Sequence, residues 1–135
     1  MELIPVKFKK IMQSKSYTCI ILGAESKLFA IYTDPIVGRT LQINLMNEPH
    51  PRPYTHDLMN FIFEGLDVRV KQVVINDIED TTYFSRIFLE QQIGERKRIL
   101  EIDCRPSDSI TLALNKNVPV YCTKEVLEKA VPVEE

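Results

Sequence analysis

Between residues 52 and 108 the chain carries a polar set suited to phosphate chemistry: Arg52, His56, Asp57, Asp77, Asp80, Asp103, Arg105, Ser107 and Asp108. Hydrolysis of a phosphodiester needs a group that activates water and a group that holds charge on the phosphate. Two or more carboxylates around Mg²⁺ or Mn²⁺ can do the first, and arginines or a helix N-terminus the second. Oxygen donors suit Mg²⁺ better than zinc here, because no thiolate pair has zinc spacing and the chain holds only 2 histidines. His56, whose ordinary pKa lies near neutrality, has the chemistry of a general base.

Each of these residues also has a plain structural reading. Asp57 and Asp108 fall in expected first helical turns, where a carboxylate stabilises by about 0.3–1 kcal/mol with no chemical role. Asp77 and Asp80 sit in turn-like surroundings. Arg105 stands two residues from Asp103 on one strand face, so an ion pair between them competes with substrate contact. Arg52, locked between Pro51 and Pro53, is the residue least explained by folding needs. A stiff extended backbone that presents a guanidinium is a common holder of carboxylate or phosphate.

The stretch that organises these groups is residues 101–114, EIDCRPSDSITLAL. Leu100, Ile102 and Cys104 alternate with Glu101, Asp103 and Arg105, as a strand requires. Pro106 cannot continue a central strand, and Ser107 is expected to cap a helix carried by Ile110, Ala113 and Leu114. The corner therefore offers a helix N-terminus as an anion site.

Upstream, residues 6–11, 18–22 and 28–32 read as three strands with short links, an antiparallel meander. Residues 35–47 fit a strand by alternation and a helix by the stripe Ile36, Val37, Leu41 and Leu45, with Asp34-Pro35 as a helix start. Pro49, Pro51 and Pro53 stiffen the next link. Thr55 is expected to cap a helix whose Leu58, Met59, Phe61, Ile62, Phe63 and Leu66 make it apolar over most of its circumference, hence a core helix. Residues 67–76, 82–90 and 98–104 form a second meander. After the helix at 107–115, Asn117 stops it, residues 118–122 make a short strand, and Thr123 caps a last helix. The expected fold is α+β: mostly antiparallel sheet from two meanders, with three to four helices packed against it, as a single domain over residues 1–135.

Several function classes are excluded. There is no Gly-x-x-x-x-Gly-Lys-Ser/Thr loop, no Gly-x-Ser-x-Gly elbow and no His-Glu-x-x-His pair, which removes P-loop nucleotide kinase, esterase and zinc protease readings. Cys19, Cys104 and Cys122 are odd in number and far apart, so buried reduced thiols are expected rather than disulfides. No apolar run reaches the ~20 residues of a membrane span, and the start of the sequence has no signal-peptide pattern, which gives a cytoplasmic expectation. The net charge of −2 includes only two dense basic groups, Lys7/Lys9/Lys10 and Arg96/Lys97/Arg98. A strong nucleic-acid binder is usually more basic.

EIDCRPSDSI, the block Arg52-Pro53-Tyr54-Thr55-His56-Asp57-Leu58, and the pair Val74-Ile75-Asn76-Asp77 and Asp80-Thr81-Thr82-Tyr83-Phe84-Ser85 together resemble the bifunctional nuclease family, small domains credited with DNase and RNase activity. The likeness covers about residues 50–122 and favours the helix over 35–47. It implies metal-assisted cleavage of single-stranded DNA and RNA with Mg²⁺ or Mn²⁺. In that scheme His56, Asp57 and Asp108 are catalytic, Arg52, Arg105 and Ser107 bind substrate, and Asp57, Asp77, Asp80 and Asp108 hold metal. One position departs: the family commonly has glutamate before the glycine matching Gly38, and this chain has Val37. The alternative is a non-catalytic dimeric regulatory or interaction domain of the same fold. A homodimer is expected on either reading, covering exposed apolar strand faces.

Overall fold

The computed structural model describes residues 2–134. The first meander is β1 (Leu3–Gln13), β2 (Thr18–Ala24) and β3 (Lys27–Thr33), paired antiparallel. All seven residues of β2 are buried, as its apolar run TCIILGA demands of a strand covered on both faces. The tight turn into β3 places Glu25 at a φ of 53°.

The ambiguous stretch is helical: α1 spans Pro35–Leu45. The local cap decides it. Asp34 Oδ1 accepts the Val37 N–H at 2.9 Å, and Pro35 supplies a preset φ in the first turn. Leu41 is buried against the first core cluster, beside Ile20, Leu22, Phe29 and Ile110.

The second meander is β4 (Val68–Glu79), β5 (Thr82–Ile93) and β6 (Arg96–Cys104), turning at Asp80 (φ 56°) and Gly94 (φ 60°). From β6 the chain enters α3 (Pro106–Lys116), stops at a left-handed Asn117, and returns as β7 (Val120–Thr123) before α4 (Lys124–Lys129). The Thr123 hydroxyl accepts the Val126 N–H and caps α4. The two meanders are not separate sheets. β7 pairs antiparallel with β1 and parallel with β4, giving one seven-stranded sheet in the order β3-β2-β1-β7-β4-β5-β6. Cys19, Cys104 and Cys122 are free, with Cys19 and Cys122 buried and Cys104 half-buried. Among the described residues no helix is long and apolar enough to cross a membrane.

Three local expectations are corrected. The first helix residue of α2 (Thr55–Gly65) is Thr55, and its cap position is Tyr54, whose N–H is taken by the Asp57 carboxylate at 2.8 Å. Arg105, not Ser107, occupies the cap position of α3, because Pro106 prefers the first helical residue. And α2 is not a core helix. It buries His56 and Asn60, half-buries Met59 and Phe63 against the second core cluster, and leaves Leu58, Phe61, Ile62 and Leu66 exposed. A helix lying on one face of a sheet covers only the flank that faces the sheet, whatever its composition elsewhere.

Gly38 is where α1 touches β2. A Cβ there would fall 1.8 Å from Thr18 Oγ1, a residue fully buried and bonded to Gln13 Oε1 and the Asp34 carbonyl. A Cβ at Gly65 would meet nothing within 4 Å. Gly38→Ala is therefore expected to destabilise by about 1–3 kcal/mol, and Gly65→Ala to be neutral or stabilising by up to about 1 kcal/mol. Urea unfolding of both variants checks this; equal effects would contradict the packing described.

Candidate functional site

The corner between β6 and α3 is built around Asp108. Its Oδ2 accepts from Arg105 Nε at 2.9 Å, and its Oδ1 lies 3.1 Å from Nε2 of His56, 52 residues away in sequence. The chain reaches this arrangement locally: Arg105 is extended, Pro106 starts the helix, and three residues on Asp108 faces back toward the cap, in the first turn where the helix field favours a carboxylate. The His56 hydrogen bond, with Arg105 adding to it against partial burial, holds the Asp108 carboxyl below its ordinary range. Below the corner Ser85 Oγ donates to the Cys104 carbonyl at 2.7 Å and shares a 2.9 Å bond with Ser109 Oγ. Thr111 fixes the Ser107 carbonyl at 2.6 Å. These buried hydroxyls tie β5, β6 and α3 together and so set the Arg105 backbone.

His56 itself is buried, at 5% exposure, and its Nδ1 has no hydrogen-bond partner among the described residues. An ionised Asp108 accepts, so Nε2 is the donor of the pair. In this arrangement His56 steadies Asp108 and does not face solvent.

Asp57 makes a second such pair. Its Oδ2 accepts the Tyr54 N–H and lies 2.8 Å from Nε2 of His50, whose ring stacks on Tyr54 at 4.0 Å between centroids. The sequence reading missed His50. The available signal was that both histidines of the chain stand near first-turn aspartates, His50 across the stiff proline link.

An open hollow of about 560 Å³ lies beside the corner, walled by Tyr32, Thr33, Thr81, Thr82, Tyr83 and Arg105. Ser107 contributes to its floor although it is 3% exposed. The Arg105 side chain is 64% exposed and reaches the hollow with the donors that Asp108 leaves free. Asp34, the cap of α1, adds its charge to the field at Arg105.

The other expected site residues are dispersed. Arg52 is exposed and makes no side-chain hydrogen bond or ion pair among the described residues. Asp77 Oδ1 accepts the Ile78 N–H, and Asp80 is an exposed turn residue. The Asp103–Arg105 ion pair does not form, because Arg105 turns to Asp108. Among the described residues no three His, Cys, Asp or Glu side chains are gathered closely enough to hold a metal ion. Asp57 and Asp108 are each engaged by a histidine, so the donor set Asp57, Asp77, Asp80 and Asp108 does not fit a resident divalent ion. The α3 N-terminus is also a poorer anion site than expected. Pro106 has no N–H, and the Asp108 and Ser109 N–H groups both bond to the Arg105 carbonyl.

The His50–Asp57 pair has a pH signature. The hydrogen bonds to Asp57 and the Glu48 carbonyl raise the His50 pKa; the Tyr54 N–H and then His50 lower that of Asp57. A raised histidine stabilises at pH below its unfolded value and loses this as pH climbs through the folded value. A depressed aspartate stabilises above its unfolded value and loses this as pH falls through the folded one. The pair's contribution is thus greatest between about pH 4 and about pH 6.5 and declines on both sides. Melting temperatures of wild type and His50→Gln across that range should differ most inside the window; a pH-independent difference would refute the pairing.

The model of the family described as "Bifunctional nuclease domain" matches residues 20–134. An uncharacterized protein of Mycobacterium tuberculosis is 34% identical over 80 residues, 59% of this chain and 44% of that protein. Bifunctional nuclease 1 of Oryza sativa subsp. japonica and Bifunctional nuclease of Oryza minuta are each 28% identical over 82 residues, 61% of this chain and 24% of theirs. The aligned stretches thus span less than half the length of these curated relatives. With the family model covering all but the first β-strand of the fold and the start of the second, the chain belongs to the bifunctional nuclease domain family.

Proposed function

We propose that the chain cleaves phosphodiester bonds of single-stranded DNA or RNA at the hollow beside Arg105. The observation that carries the reading is the exposed guanidinium on the hollow's wall, held from behind by Asp108, itself gripped by His56. Arg105 would bind the phosphate through its terminal nitrogens and stabilise charge gathering on it. The 56% exposed Tyr32 ring would stack an unpaired base, a contact open to any base type. Thr81 and Thr82 offer hydroxyls to the sugar-phosphate backbone. Attack of a water oxygen on phosphorus breaks the bond to one nucleotide oxygen, and the proton lost by water ends on that leaving oxygen.

Two observations favour a second reading, a non-catalytic domain of the same fold. His56 is buried, and both first-turn aspartates already have histidine partners. Val37 also stands where the family commonly has glutamate.

Labelled single-stranded DNA and RNA incubated in Mg²⁺, in Mn²⁺ and in chelator separate the two. Under the nuclease reading, cleavage appears and Arg105→Ala lowers its rate by about a hundredfold. Asp108→Asn lowers it as well, with folding verified by the melting curve. Cleavage unaltered in both variants points to a contaminant and removes the enzymatic reading. Fluorescence anisotropy should also show weak binding, with log K falling against log salt at a slope of about −1.4 to −2, as for two or three phosphate contacts on a single strand. A slope several times steeper would mean a basic surface outside this hollow.

A further inference from the structure

We infer that a second copy of this chain docks along β6, pairing antiparallel through the free sheet edge and covering the exposed flank of α2. Three observations lead there, none of which depends on nuclease activity.

The first is the edge itself. β6 ends the sheet and has β5 as its only strand neighbour, so one row of its backbone donors and acceptors is unpaired. Its side chains are poorly covered as well: Ile99 is 60% exposed and Ile102 44%. The opposite edge, β3, is partly occupied, with Phe29 bridged to Pro132 and the Val133 N–H bonded to the Leu28 carbonyl.

The second is the order of charges along β6. Arg96, Lys97 and Arg98 open the strand, and Glu101 and Asp103 close it. A two-fold axis perpendicular to the sheet at Leu100, the middle residue, pairs all nine residues with a second copy. It sets Lys97 opposite Asp103 of the other copy, twice, and Leu100 opposite itself. Opposite charges directly across an antiparallel pair attract, and the same strand laid parallel would stack like on like. The basic cluster that the proposed reaction leaves unused thus finds a partner in the acidic end of an identical strand.

The third is what lies above that edge. α3 packs over β4 and β5. Glu64 of α2 reaches Lys116 of α3 at 3.2 Å, which turns that flank of α2 toward α3. At 100° per residue, Leu58, Ile62 and Leu66 fall on the other flank, away from α3. Met59 and Phe63 pack in one cluster with Leu100 of β6, and Gln91 of β5, opposite Arg98, donates to the Leu66 carbonyl. The exposed apolar flank therefore overhangs the free edge. Because the axis keeps each sheet face on its own side, pairing β6 with its copy brings the two α2 flanks together over one continuous sheet. Ile62, Leu66 and Leu58 then leave water at the same step that satisfies the strand edges.

Light scattering after size exclusion is expected to give a dimer. Ile62→Glu, at a position exposed in the single chain, should weaken association by about thirtyfold, the loss of one buried interface anchor, with an unchanged melting curve for the monomer. For the register, Lys97→Cys and Asp103→Cys proteins are oxidised separately and as a mixture. A disulfide dimer that needs the mixture supports the pairing at Leu100. A monomeric wild type, a dimer indifferent to Ile62→Glu, or a dimer that forms no mixed cross-link overturns the proposal.

Discussion

The two meanders are held together by four residues. β7 gives its hydrogen bonds to Leu3–Val6 of β1 on one side and to Val73–Ile75 of β4 on the other. Both core clusters reach Val120 at this seam. Cys122 is fully buried in it, and burial pushes its thiol up to about 11, so it serves as a small apolar side chain. Because β7 lies late in sequence and pairs with the first strand, the sheet closes only through contacts of long sequence separation. Such topologies fold more slowly than those built from neighbours. The same strand feeds Thr123 into the cap of α4, so one short segment fixes the sheet and the helix that follows it.

Features set by neighbours in sequence were legible before the structure. Asp34, Thr123 and Asn117 mark helix boundaries where an oxygen or a left-handed residue meets a local need. The strands of both meanders follow from alternation and their turns, and the family resemblance tipped residues 35–47 to the helix that Asp34 caps. Features that depend on which surfaces meet were not legible. Nothing in the composition of α2 says that one flank faces the sheet and the other does not. The joining of the meanders by β7, and its parallel pairing with β4, needed knowledge of where the crossover lands.

The candidate site divides the same way. The strand-to-helix corner and the nearness of the α2 start to it were readable from the motif blocks. The occupancy of the carboxylates was not. Asp108 faces Arg105 three residues back but also His56 from another helix, and Asp57 meets His50 across the proline link. Both aspartates are therefore acceptors already in use. What the corner leaves open to a ligand is cationic: the terminal nitrogens of Arg105 above a hollow of hydroxyls and tyrosine rings.

The strip of chain from Pro132 to Val133 that lies along β3 has a consequence for colloidal behaviour. A β-sheet with two bare ends is a template that can add copies without limit, and fibres are the familiar result. Here one end is already capped from within the same molecule, leaving growth a single direction. Joining two such molecules end to end uses up both open margins, so lateral addition halts at a pair and the chain stays dispersed.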